Sequence, residues 1–318
     1  MKTILVFGIS GLVGGRLARE LRSRGYQVRG ATRLAEFCST EVEELFRVDW
    51  KNQESLERAC QGAHAVIHLA CPNFREVEAS PQIMPEYFEG VQALVRAMKS
   101  QRVARGVYLS SIHVYGGSLH GVVTERTPPN PQHPYGRMHE QVERLLGASG
   151  TPWVILRSTN GVGWPVRPET NCWALLANDL CRQAAQTGSA RLHARPDICR
   201  DFLALGEILR ALEYGIQQAP PGLYLLASGQ TRTTGWLAGR IADEYLRQTG
   251  KKLVGLPSHG EPAQGPEFFL DTRKLAQEGF LGLEDLGDEI SRLMQECLHW
   301  FGPARSLPGT GQVKTAVR

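Results

Sequence analysis

The stretch Thr3 to Gly14, TILVFGISGLVG, is a five-residue apolar run entering glycines at 8, 11 and 14. Apolar positions then recur at helical spacing from Leu12 to Arg24 and stop near Gly25. This order predicts a strand, a tight turn and a helix. Glycines at this spacing let backbone approach a ligand, and the helix that follows offers unpaired amides and the positive end of its dipole to a phosphate. Spacing alone is weak support in a chain with 34 glycines. The strand before and the helix after make the turn a candidate pyrophosphate site rather than a phosphate-free corner of an α/β core.

The same alternation continues along the chain. Strands are expected at 27–31, 45–48, 65–70, 106–110 and 153–157, with helices at 53–59, 85–100 and 134–146. Strands alternating with helices over about 155 residues imply a Rossmann-type, doubly wound parallel sheet. After Arg157 the rhythm breaks, with a helix near 173–187 and segments 201–205 and 222–227 expected to return to the sheet as strands. The organisation expected is a dinucleotide-binding core over 1–158 joined by 201–227, a smaller C-terminal substrate lobe from 159–200 and 228–301, and a tail over 302–318. Such a lobe would lie over the carboxyl edge of the sheet, where ligands of open α/β sheets bind.

Composition narrows the function classes. The chain has 318 residues, 42% of them hydrophobic, and no apolar run long enough to span a membrane. A net charge of +4 without blocks of like charge argues against nucleic-acid or membrane partners. Seven scattered cysteines show no metal-ligand spacing, so reduced thiols in a cytoplasmic protein are expected, with no metal. Only seven of the 36 basic residues are lysines, and none lies between Lys99 and Lys251.

Where a carboxylate would hold the adenine ribose of NAD, the second strand ends Val28-Arg29-Gly30-Ala31-Thr32-Arg33. Arg33 is placed to meet a 2′-phosphate, which favours NADP over NAD; the alternative is a solvated loop cation. Asp49 could accept from the adenine amino group or simply close a turn.

The run of motifs resembles the extended short-chain dehydrogenase/reductase family of sugar-nucleotide epimerases, dehydratases and ketoreductases. The pieces are VFGISGLVG (6–14), VDW (48–50), AVIHLA (65–70), VYLSSIHVYG (107–116), PYGRMH (134–139), ILRSTNGVG (155–163), RDF (200–202) and DTRKLAQEGF (271–280). The resemblance implies cofactor contacts from Gly8, Ser10, Gly11, Leu12, Val13, Gly14, Arg33, Asp49, Trp50, Leu69 and Ala70. It also implies that Ser111 shares the substrate oxygen's hydrogen bond and that Tyr135 moves its proton. A lysine four residues after such a tyrosine would share its helix face, lower the phenol pKa and bind the nicotinamide ribose.

Here that position is His139, and no other register restores a lysine. An imidazolium would supply part of the role if a neighbour raised its ordinary pKa of ~6.5. The expectation is that His139 positions the ribose in the lysine's place. A second departure puts Tyr87 near the place of the asparagine that orders a catalytic water in the family. On the substrate side the resemblance assigns Asn160 and Arg200 to a nucleotide sugar, and a guanidinium suits a diphosphate. Arg200 would otherwise pair with neighbouring Asp201. Trp164 and Trp173 read as core residues, as does His68, while His113 faces substrate or solvent.

Three functions follow. The first is an NAD(P)-dependent oxidoreductase reducing or epimerising C4 of a nucleotide-linked sugar, working as a homodimer paired through helices 85–100 and 134–146. The second is a dinucleotide-binding sensor without catalysis, and the third a reductase of a small free ketone or aldehyde.

Overall fold

A computed structural model describes residues 1–34, 36–117, 119–256, 268–282 and 284–303. Most of the expected tail, 304–318, lies outside the described residues. In chain order the elements are β1 (Thr3–Phe7), α1 (Leu12–Ser23), β2 (Gln27–Thr32), β3 (Glu44–Arg47), α2 (Gln53–Cys60), β4 (Ala65–His68), α3 (Phe74–Ala79), α4 (Ile83–Ser100) and β5 (Arg105–Ser111). A 3-10 turn (Ile112–Tyr115), β6 (Gly121–Val123), α5 (Pro134–Ala148), β7 (Trp153–Ser158), β8 (Asn160–Val162), α6 (Leu176–Thr187), β9 (Cys199–Ala204) and α7 (Leu205–Gln217) follow. The chain closes with β10 (Gly222–Leu226), β11 (Thr231–Thr233), α8 (Thr234–Thr249), β12 (Phe268–Leu270), α9 (Arg273–Gln277) and α10 (Leu286–Phe301).

Seven strands form one sheet in the order β10-β7-β5-β4-β1-β2-β3, every pair parallel. The expected doubly wound sheet is thus present, and the chain reverses direction across it between β1 and β4. β1 is central, with Ile4, Leu5, Val6 and Phe7 fully buried. Leu17 and Leu21 of α1 and Ile208, Leu209 and Leu212 of α7 cover one face. Leu56 of α2, Val91 and Leu94 of α4 and Val142 of α5 cover the other. Each such side chain contributes about 1.5–3 kcal/mol by leaving water.

One expected strand does not join this sheet. β9 lies instead between β8 and β11 in a separate three-stranded sheet, parallel to β8 and antiparallel to β11. Of the segment 201–227, the central sheet receives β10 as an edge strand and α7 as a cover. α6, α8 and α10 bury Leu180, Leu237, Ile241, Leu293 and Met294 in a second core, which is the C-terminal lobe. α6 begins at Leu176 rather than at 173, because Trp173 lies in a turn and packs edge-on against Trp300 and Phe301. β12 pairs with β6 over three residues. Among the described residues no helix is long and apolar enough to cross a membrane.

Candidate active site

The glycine turn is shaped by close backbone approach. Gly8 sits at φ +85°, and a Cβ there would lie 2.7 Å from the Leu69 carbonyl carbon and the Ala70 nitrogen. A Cβ on Gly14 would fall 2.2 Å from the Gly8 oxygen. Leu69 and Ala70, expected at the cofactor, therefore adjoin the turn through backbone. Gly11 starts α1 with no side chain capping it, so the amides at the head of this 12-residue helix are free for an anion. Ser10, Leu12 and Val13 are half-buried around that opening. The turn fits a dinucleotide pyrophosphate.

At the end of β2, Arg33 is exposed and makes no hydrogen bond or ion pair among the described residues. Asp49 is exposed as well and accepts from the Lys51 amide at 2.9 Å, the geometry of a turn. Trp50 turns its ring into the core against Phe7, at 5.4 Å, and His68, at 5.5 Å, so it offers the cleft only backbone.

Ser111 ends β5, and its Oγ accepts from the His113 amide at 3.2 Å, capping the 3-10 turn. α5 begins with Pro134 after His133, whose Nδ1 accepts from the Tyr135 amide at 3.1 Å. A Cβ on Gly136 would stand 2.3 Å from the His113 carbonyl oxygen, so only glycine lets this helix dock on the turn. That contact brings the Tyr135 ring within 5.8 Å of the His113 ring. Phe74 from α3 stacks on His133 at 3.7 Å and lies 5.9 Å from both Tyr135 and His113. Neither Phe74 nor His133 was among the residues expected from sequence. The capping His-Pro pair before Tyr135 was the readable signal for His133, and Phe74 had none.

His139, expected in the lysine's place, is buried among aromatic rings. Its side chain is 1% exposed, and Nδ1 lies 2.6 Å from the Tyr108 hydroxyl. Nε2 is buried and has no hydrogen-bond partner among the described residues. Burial pushes the imidazole down to about 3, with His113 and His68 adding to the fall, so the ring is neutral at pH 7. Among the described residues no carboxylate bonds to it, and the rings beside it are those of Tyr108 and Tyr135. Tyr87, the second departure from the family pattern, belongs to the same cluster. Its hydroxyl lies 3.2 Å from His68 Nε2. His68 with Tyr87 and Tyr108 with His139 thus form two buried polar pairs drawn from β4, α4, β5 and α5, joined by the stacking of the His68 and Tyr108 rings at 5.4 Å. Arg137 is exposed and spends its guanidinium on the Pro131 and Gln132 carbonyls. Burial, with Cys71 adding, pushes the Tyr135 phenol upward.

Beside His113 opens a cavity of about 380 Å³, lined in part by His120, Asn160, Arg195, Arg200 and Phe268. Asn160 donates from Nδ2 to the Asp201 carbonyl at 2.9 Å, tying β8 to β9. Arg200 is not paired with Asp201, whose carboxylate turns away to accept from Ser228 and Gln230. Among the described residues the guanidinium donates only to its neighbour's carbonyl, Cys199 O at 2.8 Å. Trp164 packs against the core of the lobe, with the Arg16 guanidinium 4.2 Å over its ring.

Residues 4–226 match the family described as the NAD dependent epimerase/dehydratase family. The chain belongs to it. A UDP-glucose 4-epimerase of Streptomyces lividans is 25% identical over 271 residues, 78% of this chain and 82% of its own length. A dihydroflavonol 4-reductase of Gerbera hybrida is 30% identical over 128 residues, which spans 36% of this chain and 35% of the reductase. Among solved structures, UDP-glucose 4-epimerase from Brucella ovis in complex with NAD aligns with a TM-score of 0.77 at 23% identity, over 94% of this chain and 99% of that one. The expected preference for NADP gains no support here, since the family description names NAD and the Brucella ovis structure holds NAD.

Proposed function

We propose that this chain is an extended short-chain oxidoreductase acting at C4 of a nucleotide-linked sugar. The observation that carries the reading is the position of His113, whose ring lies beside that of Tyr135 and which also lines the cavity holding Arg200. The glycine cradle at Gly8 and Gly14 suits a dinucleotide, and His113 links Tyr135 to a cavity holding the unpaired Arg200. A guanidinium that lines this cavity and pairs with no carboxylate among the described residues suits a diphosphate better than a small neutral ketone. A nicotinamide cofactor would supply or accept the hydride. Tyr135 holds its hydroxyl at the reacting oxygen, Ser111 shares that hydrogen bond, and Arg200 and Asn160 orient the substrate.

NAD is the cofactor we assign on the strength of the relatives, with Arg33 admitting the 2′-phosphorylated form as well. Two copies paired through α4 and α5 would meet on polar faces, since Glu89, Gln92, Arg96, Arg137, Gln141 and Arg144 are exposed there. All seven cysteines are free thiols, in keeping with a cytoplasmic setting. The test is titration with NADH and NADPH, followed by a scan for cofactor oxidation with UDP- and dTDP-linked 4-keto sugars. Binding with turnover is expected. Arg33→Ala should weaken NADPH roughly tenfold or more and leave NADH unchanged, as for one charge-assisted contact. Tight binding without turnover on any of these sugars would favour a cofactor-binding protein without catalysis.

A further inference from the structure

We propose that the buried Arg16–Glu289 ion pair is a positioning element for the reaction: it fixes the substrate lobe against the cofactor helix, so that a nucleotide sugar held by Asn160 and Arg200 stands within reach of the nicotinamide. The inference rests on the reading above and adds two residues that act through others. Arg16 lies two residues after Gly14, on the helix that the glycine turn opens. Its guanidinium donates through Nη1 to Glu289 Oε2 at 3.2 Å and through Nη2 to Glu289 Oε1 at 3.1 Å. The two side chains are 8% and 7% exposed, so the pair is closed off from water. Nη2 also donates to Glu20 Oε1 at 3.2 Å, and the guanidinium covers the Trp164 ring.

Glu289 stands in the first turn of α10, and its carboxylate meets three segments at once. Arg16 brings in α1 and with it the glycine turn. The Gly206 amide donates to Oε1 at 2.8 Å at the head of α7, directly after β9, the strand that carries Arg200. A Cβ on Gly163 would lie 2.9 Å from Oε2, so the chain leaving β8, three residues past Asn160, runs against the same carboxylate. The contact continues at Val166, whose Cγ2 would lie 2.8 Å from a Cβ on Gly15 of α1. One carboxylate therefore joins the helix that would hold the dinucleotide to both strands that carry the substrate residues.

Stability does not account for such a pair. The desolvation penalty of two buried charges offsets their attraction, and apolar side chains of similar volume hold a core as well or better. What two parallel charge-assisted bonds add is direction, because they fix both the distance and the plane of the guanidinium against the carboxylate. Apolar burial has no such preference. Hydride transfer needs that precision: the reacting atoms must be held in near contact, and a misplacement of about 1 Å slows the step by about 100-fold.

The experiment compares the wild type with the double variant Arg16→Met/Glu289→Leu, which removes both charges together, at a temperature where both proteins are fully folded. Urea unfolding should show a stability close to that of the wild type. The NADH dissociation constant should stay within about threefold, because the glycine turn is untouched. With UDP- and dTDP-linked 4-keto sugars, kcat should fall about 10-fold or more while KM changes by less than about threefold, since Asn160 and Arg200 move with the lobe. Amide hydrogen exchange should rise in segments 160–170 and 199–208, where the junction loosens. A wild-type kcat in the double variant overturns the proposal and leaves the pair a structural contact, and so does a loss shared equally by NADH binding. If the double variant fails to fold, Glu289→Gln, which keeps the size of the side chain, is read in the same way. If no sugar turns over in the wild type, the proposed function falls and the exchange comparison decides alone: raised exchange in the two segments upholds the positioning role, and unchanged exchange overturns it.

Discussion

The polar column on the inner face of α5 continues past Tyr135 and His139 to Glu143, and replacing Glu143 by leucine tests what holds this helix to the sheet. The Glu143 carboxylate accepts from Arg157 Nε at 3.0 and 3.1 Å, from Arg157 Nη2 at 2.6 Å and from the Ser110 hydroxyl at 2.5 Å. The two side chains are 5% and 7% exposed. Arg157 also lies 4.7 Å over the Tyr115 ring, and its Nη1 already lacks a partner. Glu143→Leu leaves a buried guanidinium uncompensated, at about 3–5 kcal/mol. Loss of the Ser110 bond adds about 1 kcal/mol. With a urea slope of about 3 kcal/mol/M, the unfolding midpoint should fall by roughly 1–2 M. Glu143→Leu with Arg157→Met should recover most of the loss, because removing both charges removes the burial cost instead of exposing it. A single-variant loss under about 1 kcal/mol, or a double variant no more stable than the single, would refute the reasoning.

Three other perturbations read the remaining parts of the molecule. Gly14→Ala forces the turn open against the Gly8 oxygen and should weaken dinucleotide binding by about 100-fold or more in calorimetry; unchanged affinity would mean that the cofactor lies elsewhere. Arg200→Ala should cost about 1.5–3 kcal/mol of nucleotide-sugar binding, seen in KM more than in kcat, whereas an equal loss in kcat alone would place Arg200 in the chemistry. Burial pushes both His68 and His139 to about 3. Their unfolded values lie near ~6.5, so the unfolded chain binds more protons between those limits, and their share of stability is present above that range and lost as pH falls through it. Each contributes up to about 1.4 kcal/mol per pH unit, so urea midpoints should drop between pH 7 and 5 and drop less in His139→Gln. A flat profile in the wild type would show that these rings are hydrated.

The elements that sequence anticipated are those whose signal is local. β1, β4 and β7 are short apolar runs, and α4 and α5 carry their apolar residues at helical period, so each announces its own class. The strands that went unnoticed, β6, β8, β11 and β12, are three residues long and exist only because a distant partner pairs with them. β9 carried the pattern of a strand, yet nothing in its residues tells which sheet it joins. Its neighbours β8 and β11 take it because Asn160 bridges to the Asp201 carbonyl, while Ser228 and Gln230 hold the Asp201 carboxylate.

The sequence by itself determined the sheet-forming alternation, the glycine turn and the presence of Tyr135, since these depend on period, spacing and residue type along one stretch of chain. It also showed that a lysine is missing. Only the tertiary structure decided the charge of His139, because an imidazole's charge depends on what surrounds it. Tyr108, Tyr87 and His68 come from three different elements, and their packing removes water from the ring. The same holds for Arg200, whose adjacency to Asp201 suggested a salt bridge until the fold of β9 turned the two side chains to different partners.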